Sequence, residues 1–226
     1  INNLGDKFGD TTSSSEDGLG SNNWVVGPEN SSTDYPILAS DPHIAFGAVS
    51  CWYQVHMTGK SFDVMGMAYS GVPLIFMGRN KKVAWGITNN ICSQRDLYYE
   101  KLNNQNPEKY LHDQSYLNFK KRIEIIEVKN KKPINFEIKS TINGPIVNDL
   151  LPDWVDIDSP VSLKWMGFDY CSFVTDALNI NKSNNVEEFL NSFQEWNVPT
   201  LSLVYGTVDG DFGYQAMGRI PYRNSH

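Results

Sequence analysis

The 226 residues are 40% hydrophobic and 12% aromatic, enough for a sizeable core in one large domain or two small ones, and this excludes wholesale disorder. A net charge of −7 and a pI near 5.1, with basic residues clustered only at 120–122 and 129–132, disfavour nucleic-acid binding. No apolar run reaches membrane-spanning length, and the scattered thiols Cys51, Cys92 and Cys171 suggest neither a disulfide framework nor a zinc site.

In chain order, residues 1–20 read as a polar linker, with Gly9 to Gly20 rich in Gly, Ser, Thr and acids. The chain starts at Ile1 with no signal-peptide pattern and stops at His226 with no terminating element, so both ends are expected to belong to something longer. Trp24 to Gly27 and Pro36 to Ala39 are predicted strands of a hairpin around the polar turn Pro28 to Tyr35, ended by Asp41-Pro42-His43. Val49 to Met57 alternates as an amphipathic strand. Short strands are predicted at Phe62 to Met67, Pro73 to Met77, Lys82 to Thr88 and Asp96 to Lys101.

Pro107 to His112 reads as a turn or short helix. Arg122 to Val128 and Ile134 to Ile138 form a predicted hairpin across Lys129 to Lys132, and a turn at Thr141 to Pro145 leads into a further strand. Val161 to Trp165 is another strand. Helices come late, at Thr175 to Ile180 and Val186 to Trp196, the second with Phe189, Leu190 and Phe193 on one face. Ser202 to Thr207 and Phe212 to Met217 close as a hairpin around Asp209-Gly210-Asp211. The chain carries no internal repeat and reads as strand-rich α+β.

The junction Gly20-Ser21-Asn22-Asn23-Trp24 has a chemical possibility that no internal serine has. If the Gly20–Ser21 bond breaks, Ser21 carries both a hydroxyl nucleophile and a free α-amine, whose ordinary pKa of roughly 7.7–8.0 suits a general base near neutrality. Gly20 permits the bent backbone that such an attack on its carbonyl needs. The plainer reading is the end of a linker followed by a strand.

An ordered set of stretches decides between these readings. Ser-Asn-Asn-Trp-Val-Val-Gly at 21–27, Asp41-Pro42-His43, Asp63-Val64-Met65-Gly66, Gly71-Val72-Pro73, Gly78-Arg79-Asn80 and Ala84-Trp85-Gly86-Ile87-Thr88-Asn89 come first. Asp96 to Leu102, Asn143 to Val147, Asp209 to Tyr214 and Gly218 to Arg223 follow in the same order. Over residues 20–223 this set resembles the penicillin acylase family of N-terminal-nucleophile hydrolases. The resemblance implies an incomplete four-layer αββα sandwich: a spacer at 1–20 and, at 21–226, the first part of a β-subunit catalytic domain.

It also implies roles. Ser21 would be the self-cleavage residue, cutting after Gly20, and the acyl-transfer nucleophile. His43 would orient it, as in the branch acting on aliphatic acyl groups, and the Asn89 backbone N–H would stabilise the oxyanion. Arg223 would help to place the terminal amine. Ile44, Met77 and Ala45 would line the acyl pocket, where Ile and Met favour alkyl chains over phenyl rings. The second oxyanion donor departs from the pattern: Ser202 stands where the family generally has asparagine, with Asn197 as a substitute.

No organic cofactor is implied. Many members hold calcium, for which Asp96 matches one ligand while Ser93 replaces its usual acidic partner. The implied partners are a small acylated amine and an α subunit from the same precursor, with neither nucleic acid nor a membrane span. An extracytoplasmic location is the family expectation, in keeping with the glycosylation acceptor patterns Asn30-Ser31-Ser32 and Asn181-Lys182-Ser183. The readings left open are a catalytically degenerate relative, favoured by Ser202, and a carbohydrate-binding β-module. A conventional serine hydrolase lacks its Gly-x-Ser-x-Gly elbow here.

Overall fold

The computed structural model describes residues 20–43, 50–72, 74–152, 154–155 and 157–223. It divides into two compact units, Ile1–Cys92 with Asp169–Ile220, and Ser93–Phe168 with Pro221–His226. Of the linker expected at 1–20, residues 1–19 lie outside the described residues.

The first unit is built on alternation. Strands β3 (Trp52–Thr58), β4 (Asp63–Tyr69), β5 (Met77–Arg79), β6 (Val83–Asn89), β14 (Leu201–Thr207) and β15 (Phe212–Met217) form one antiparallel sheet in the order β15-β14-β6-β5-β4-β3. Side chains on successive residues point to opposite faces. Val83 and Trp85 on β6, with Leu201 and Leu203 on β14, therefore share the face that is buried against helices. Helices α1 (Phe173–Lys182) and α2 (Val186–Asn191) supply Ala177, Ile180 and Phe189, with Phe193 and Trp196 following them into the same core.

Phe189 is fully buried, with its ring 6.0 Å from that of Trp85, 5.5 Å from Phe193 and 5.6 Å from Tyr205. Truncating such a ring leaves a cavity as well as losing apolar burial, so Phe189→Ala is expected to destabilise the unit by about 3–5 kcal/mol. A lowered denaturant midpoint with an unchanged slope checks this.

The other face of the sheet carries a hairpin of β1 (Asn22–Val26) and β2 (Ile37–Asp41), paired from Asn22↔Asp41 to Val26↔Ile37. Two glycines on that face allow the approach. A Cβ on Gly86 would lie 2.7 Å from Ser40 Cβ, and one on Gly206 would lie 2.9 Å from Pro36. Helices, sheet and hairpin thus make three successive layers.

Two predicted elements differ. The strand expected at Pro73 to Met77 starts only at Met77, with Pro73 outside the described residues. The backbone of Ile75 pairs instead with the Asn181 carboxamide, which accepts from Ile75 N–H at 2.9 Å and donates to its carbonyl at 3.0 Å. Asn181 is accordingly only 3% exposed, so this acceptor pattern is closed to glycosylation in the folded chain, whereas Asn30 is exposed. The helix expected over 186–196 stops at Asn191. There Ser192 turns back on the helix, its Oγ donating to the Glu188 carbonyl at 2.7 Å.

The second unit holds three small sheets. Strand β7 (Arg95–Tyr99) pairs with β13 (Val161–Trp165), β8 (Leu102–Asn103), β9 (Asn106–His112) and β10 (Ser115–Asn118) form a meander, and β11 (Lys120–Ile126) pairs with β12 (Ile134–Ser140). Residues 107–112 are therefore strand, not helix. Turns at both ends decide it. Asn103 Oδ1 accepts from Gln105 and Asn106 N–H, and Asp113 adopts φ 50°, so the segment between is set to pair on both sides. Glu100, 4% exposed, gathers Ser162 Oγ, Thr141 Oγ1 and Asn143 Nδ2, which accounts for the asparagine of Asn143-Gly144-Pro145.

Candidate active site

The β1–β2 register sets the position of Ser21. With Asn22 opposite Asp41, the residue before β1 faces the residue after β2, and that residue is Pro42. Proline has no N–H to continue the ladder. The next donor, the backbone N–H of His43, goes to Ser21 Oγ at 3.1 Å. A hydroxyl that accepts in this way is held in place while its own proton stays free to leave.

Three further side chains seat the segment on the sheet. Thr88 Oγ1 donates to the Ser21 carbonyl at 3.0 Å, fixing the peptide plane that follows the serine. Asn23 Nδ2 donates to the Gly86 carbonyl at 3.2 Å and to the Ser202 carbonyl at 3.0 Å, clasping β6 and β14. Ser40 Oγ reaches the Ile87 carbonyl and Met77 Sδ, each at 3.3 Å. Ser21 and Asn23 are half-buried.

His43 is brought to Ser21, but through its backbone. Its ring Nε2 instead lies 2.8 Å from Asp41 Oδ2, an ion pair whenever the ring is protonated. His43→Ala is therefore expected to keep the Ser21 contact, while His43→Pro deletes the donor. If the backbone bond is what orients Oγ, the cleavage after Gly20 that the sequence leads one to expect slows roughly tenfold or more in the proline variant only, the loss of one hydrogen bond to a reacting group being worth about 1.5 kcal/mol. Equal rates in the two variants would sink this assignment. Cleavage time courses on both, with Tm as a folding control, make the measurement.

Ser202 shares the hairpin face of the sheet with Thr88, its register partner. Its Oγ lies 3.0 Å from Tyr214 OH. Asn89 ends β6 next to Thr88, opposite Leu201. Met77 lies beneath the hairpin at 5% exposure, as packed apolar material under Ser40. Ile44 and Ala45 fall outside the described residues. Asn197, the substitute donor, is 3% exposed and its Nδ2 donates to the Tyr170 carbonyl, so that amide is already engaged.

Arg223 belongs to the second unit, where its guanidinium clamps Asp96 with contacts of 3.2, 3.1 and 2.9 Å and also donates to the Ser93 carbonyl at 2.9 Å. A guanidinium on the Asp96 carboxylate competes with a cation there. Among the described residues no group of three or more His, Cys, Asp or Glu side chains could hold a metal ion. Calcium needs several oxygen ligands, and among the described residues the Asp96 carboxylate is taken by Arg223. Among the described residues no helix is long and apolar enough to cross a membrane.

Sequence reading missed Thr88, Asn23, Asp41 and Tyr214 as site residues. All four stand inside the family-like stretches, but the partners of Asn23 and Thr88 are 63 to 179 residues away in the chain, so no local pattern reveals those contacts.

Comparison with known proteins supplies the context. The family model described as penicillin amidase matches residues 2–226. An acyl-homoserine lactone acylase, QuiP, of Pseudomonas aeruginosa is 29% identical over 212 residues, covering 90% of this chain and 25% of that protein. A penicillin G acylase of Escherichia coli is 26% identical, covering 91% of this chain and 24% of its own length. A penicillin acylase 2 proenzyme of Pseudomonas sp. is 28% identical, with 91% and 26% covered. The chain thus spans about a quarter of the length of these relatives. Among solved structures, a thermostable penicillin G acylase from Alcaligenes faecalis superposes with a TM-score of 0.74 at 24% identity, covering 87% of this chain and 35% of that one. The superposition shows the fold, an incomplete α+β arrangement of the N-terminal-nucleophile hydrolase type.

Proposed function

We propose, from the premise that this chain belongs to the penicillin amidase family, that it carries the nucleophile of an amidohydrolase that cuts itself between Gly20 and Ser21 and then hydrolyses linear amides. The observation that carries this reading is Ser21 Oγ held by the His43 N–H while Thr88 holds the Ser21 carbonyl.

In maturation, Ser21 Oγ attacks the Gly20 carbonyl carbon, the peptide C–N bond breaks, and the acyl group moves to oxygen. That bond breaking frees the Ser21 α-amine, and water then hydrolyses the ester, releasing the Gly20 carboxylate and restoring the Ser21 hydroxyl. In turnover, that amine takes the Oγ proton as Oγ bonds to the substrate's amide carbon. The leaving amine departs with the proton as its C–N bond breaks. Water, deprotonated by the same amine, attacks the Ser21 ester and releases the carboxylic acid. The Asn89 N–H and the Ser202 hydroxyl are the proposed oxyanion donors.

The substrate class is an acylated small amine, such as an acyl-homoserine lactone or a β-lactam side-chain amide, which the names of the relatives suggest. The reading includes an α segment cut from the same precursor, an extracytoplasmic location and no organic cofactor. A second reading, a folded but non-catalytic relative, is favoured by Ser202 in the place of asparagine. N-terminal sequencing of the full-length protein, with amine release from a panel of acyl amides, separates the two. A new terminus at Ser21 and amine release support the hydrolase, and an uncut, inert chain the other.

A further inference from the structure

We infer that Tyr214 is the positioning residue that makes Ser202 a working oxyanion donor, its phenol donating to Ser202 Oγ so that the serine's own proton is aimed at the reacting carbonyl. This rests on the acyl-transfer reading above and extends it to a residue with no role so far.

Ser202 lies at the right place. Its register partner Thr88 holds the Ser21 carbonyl, and its own carbonyl takes the Asn23 amide from two residues beyond the nucleophile. What it lacks is definition. A serine hydroxyl rotates among three staggered wells and its proton turns freely about the C–O bond, whereas a carboxamide presents fixed donors.

Tyr214 supplies the missing constraint. Ala216 stands directly opposite Ser202 on β15, and Val204 opposite Tyr214. Tyr214 is therefore Ser202's diagonal neighbour on the same face, within the reach of a long side chain. The small Ala216 leaves that diagonal open, and the phenol oxygen closes to 3.0 Å from Ser202 Oγ. The bond is not forced by burial, because Tyr214 is 60% exposed and water is available to its hydroxyl. With Tyr214 as donor, a Ser202 lone pair is occupied and one rotamer is favoured. The Ser202 proton then remains for the oxygen on which charge develops.

The test is kinetic, on the full-length protein, with an acyl amide that the wild type hydrolyses. Ser202→Ala is expected to lower kcat about 10²-fold, as loss of an oxyanion donor does. Tyr214→Phe, which keeps the ring, is expected to lower kcat about tenfold with KM and Tm unchanged, as loss of one hydrogen bond to a reacting group does. Because Tyr214 acts through Ser202, the double variant should be no slower than Ser202→Ala. Ser202→Asn should keep turnover near the wild-type level and make it indifferent to Tyr214→Phe.

Unchanged turnover in Tyr214→Phe, multiplying losses in the double variant, or losses in Tm and KM in place of kcat overturn the inference. A severe Tyr214→Phe beside a mild Ser202→Ala also overturns it, making the phenol itself the donor. If the wild type neither cuts nor turns over, the functional reading falls and takes the inference with it. An active wild type with an indifferent Tyr214→Phe removes the inference alone.

Discussion

Ser21→Ala is expected to leave a folded chain that is never cut after Gly20 and hydrolyses no amide. Ser21 stands just ahead of β1, outside the paired ladder, and is only half-buried. Losing its hydroxyl removes the bond from His43 and little packing, so Tm should hardly move. The chemical effect should be of another order. Removing the nucleophile of a hydrolase lowers kcat on the order of 10⁶-fold, because the remaining binding and oxyanion contacts cannot form the acyl-enzyme. Intact mass before and after incubation, with N-terminal sequencing, reads maturation, and single-turnover release of amine reads the acyl step. Cleavage of the alanine variant at the same bond would place the nucleophile elsewhere.

Gly86→Val is expected to separate seating of the site from folding of the core. The added side chain would rise from the sheet face into Ser40, whose Cβ would lie 2.7 Å from the new Cβ, with Leu38 Cδ2 at 3.2 Å. Both belong to β2, so the hairpin must lift. Lifting strains the Asn23 bond to the Gly86 carbonyl and the Thr88 bond to Ser21. The opposite face, with Trp85 and Phe189, keeps its packing. Misplacing reacting groups by about 1 Å can lower a rate roughly 10²-fold. Chain cleavage should therefore slow by that order while near-UV circular dichroism of the aromatic core is retained. Undiminished cleavage would mean that the hairpin is not what seats Ser21.

Much of the fold was legible because it rests on short periods. Val161–Trp165 alternates over five residues and has clear borders, and it is a strand with those bounds. The hairpin of β14 and β15 follows from alternating residues on both sides of the Asp209-Gly210-Asp211 turn. The segment 107–112 was not legible. Its pairing is set by turns whose partners, Asn103 and Asp113, lie outside its own pattern. Ile75 was misread for a similar reason: its backbone is satisfied by Asn181, 106 residues on.

The site divides along the same line. From the sequence alone came the Gly20–Ser21 junction, the family pattern around it and the departure at Ser202, because covalent neighbours and residue types are all that those readings require. Tertiary structure alone decided which atoms meet. It brought the backbone of His43, not its ring, to Ser21, and gave that ring to Asp41. It set Thr88 and Asn23 against Ser21 and Ser202, placed Tyr214 on Ser202, and tied Asp96 to Arg223. Strand register and the face on which a side chain emerges determine such contacts, and both are properties of pairs of strands distant in the chain.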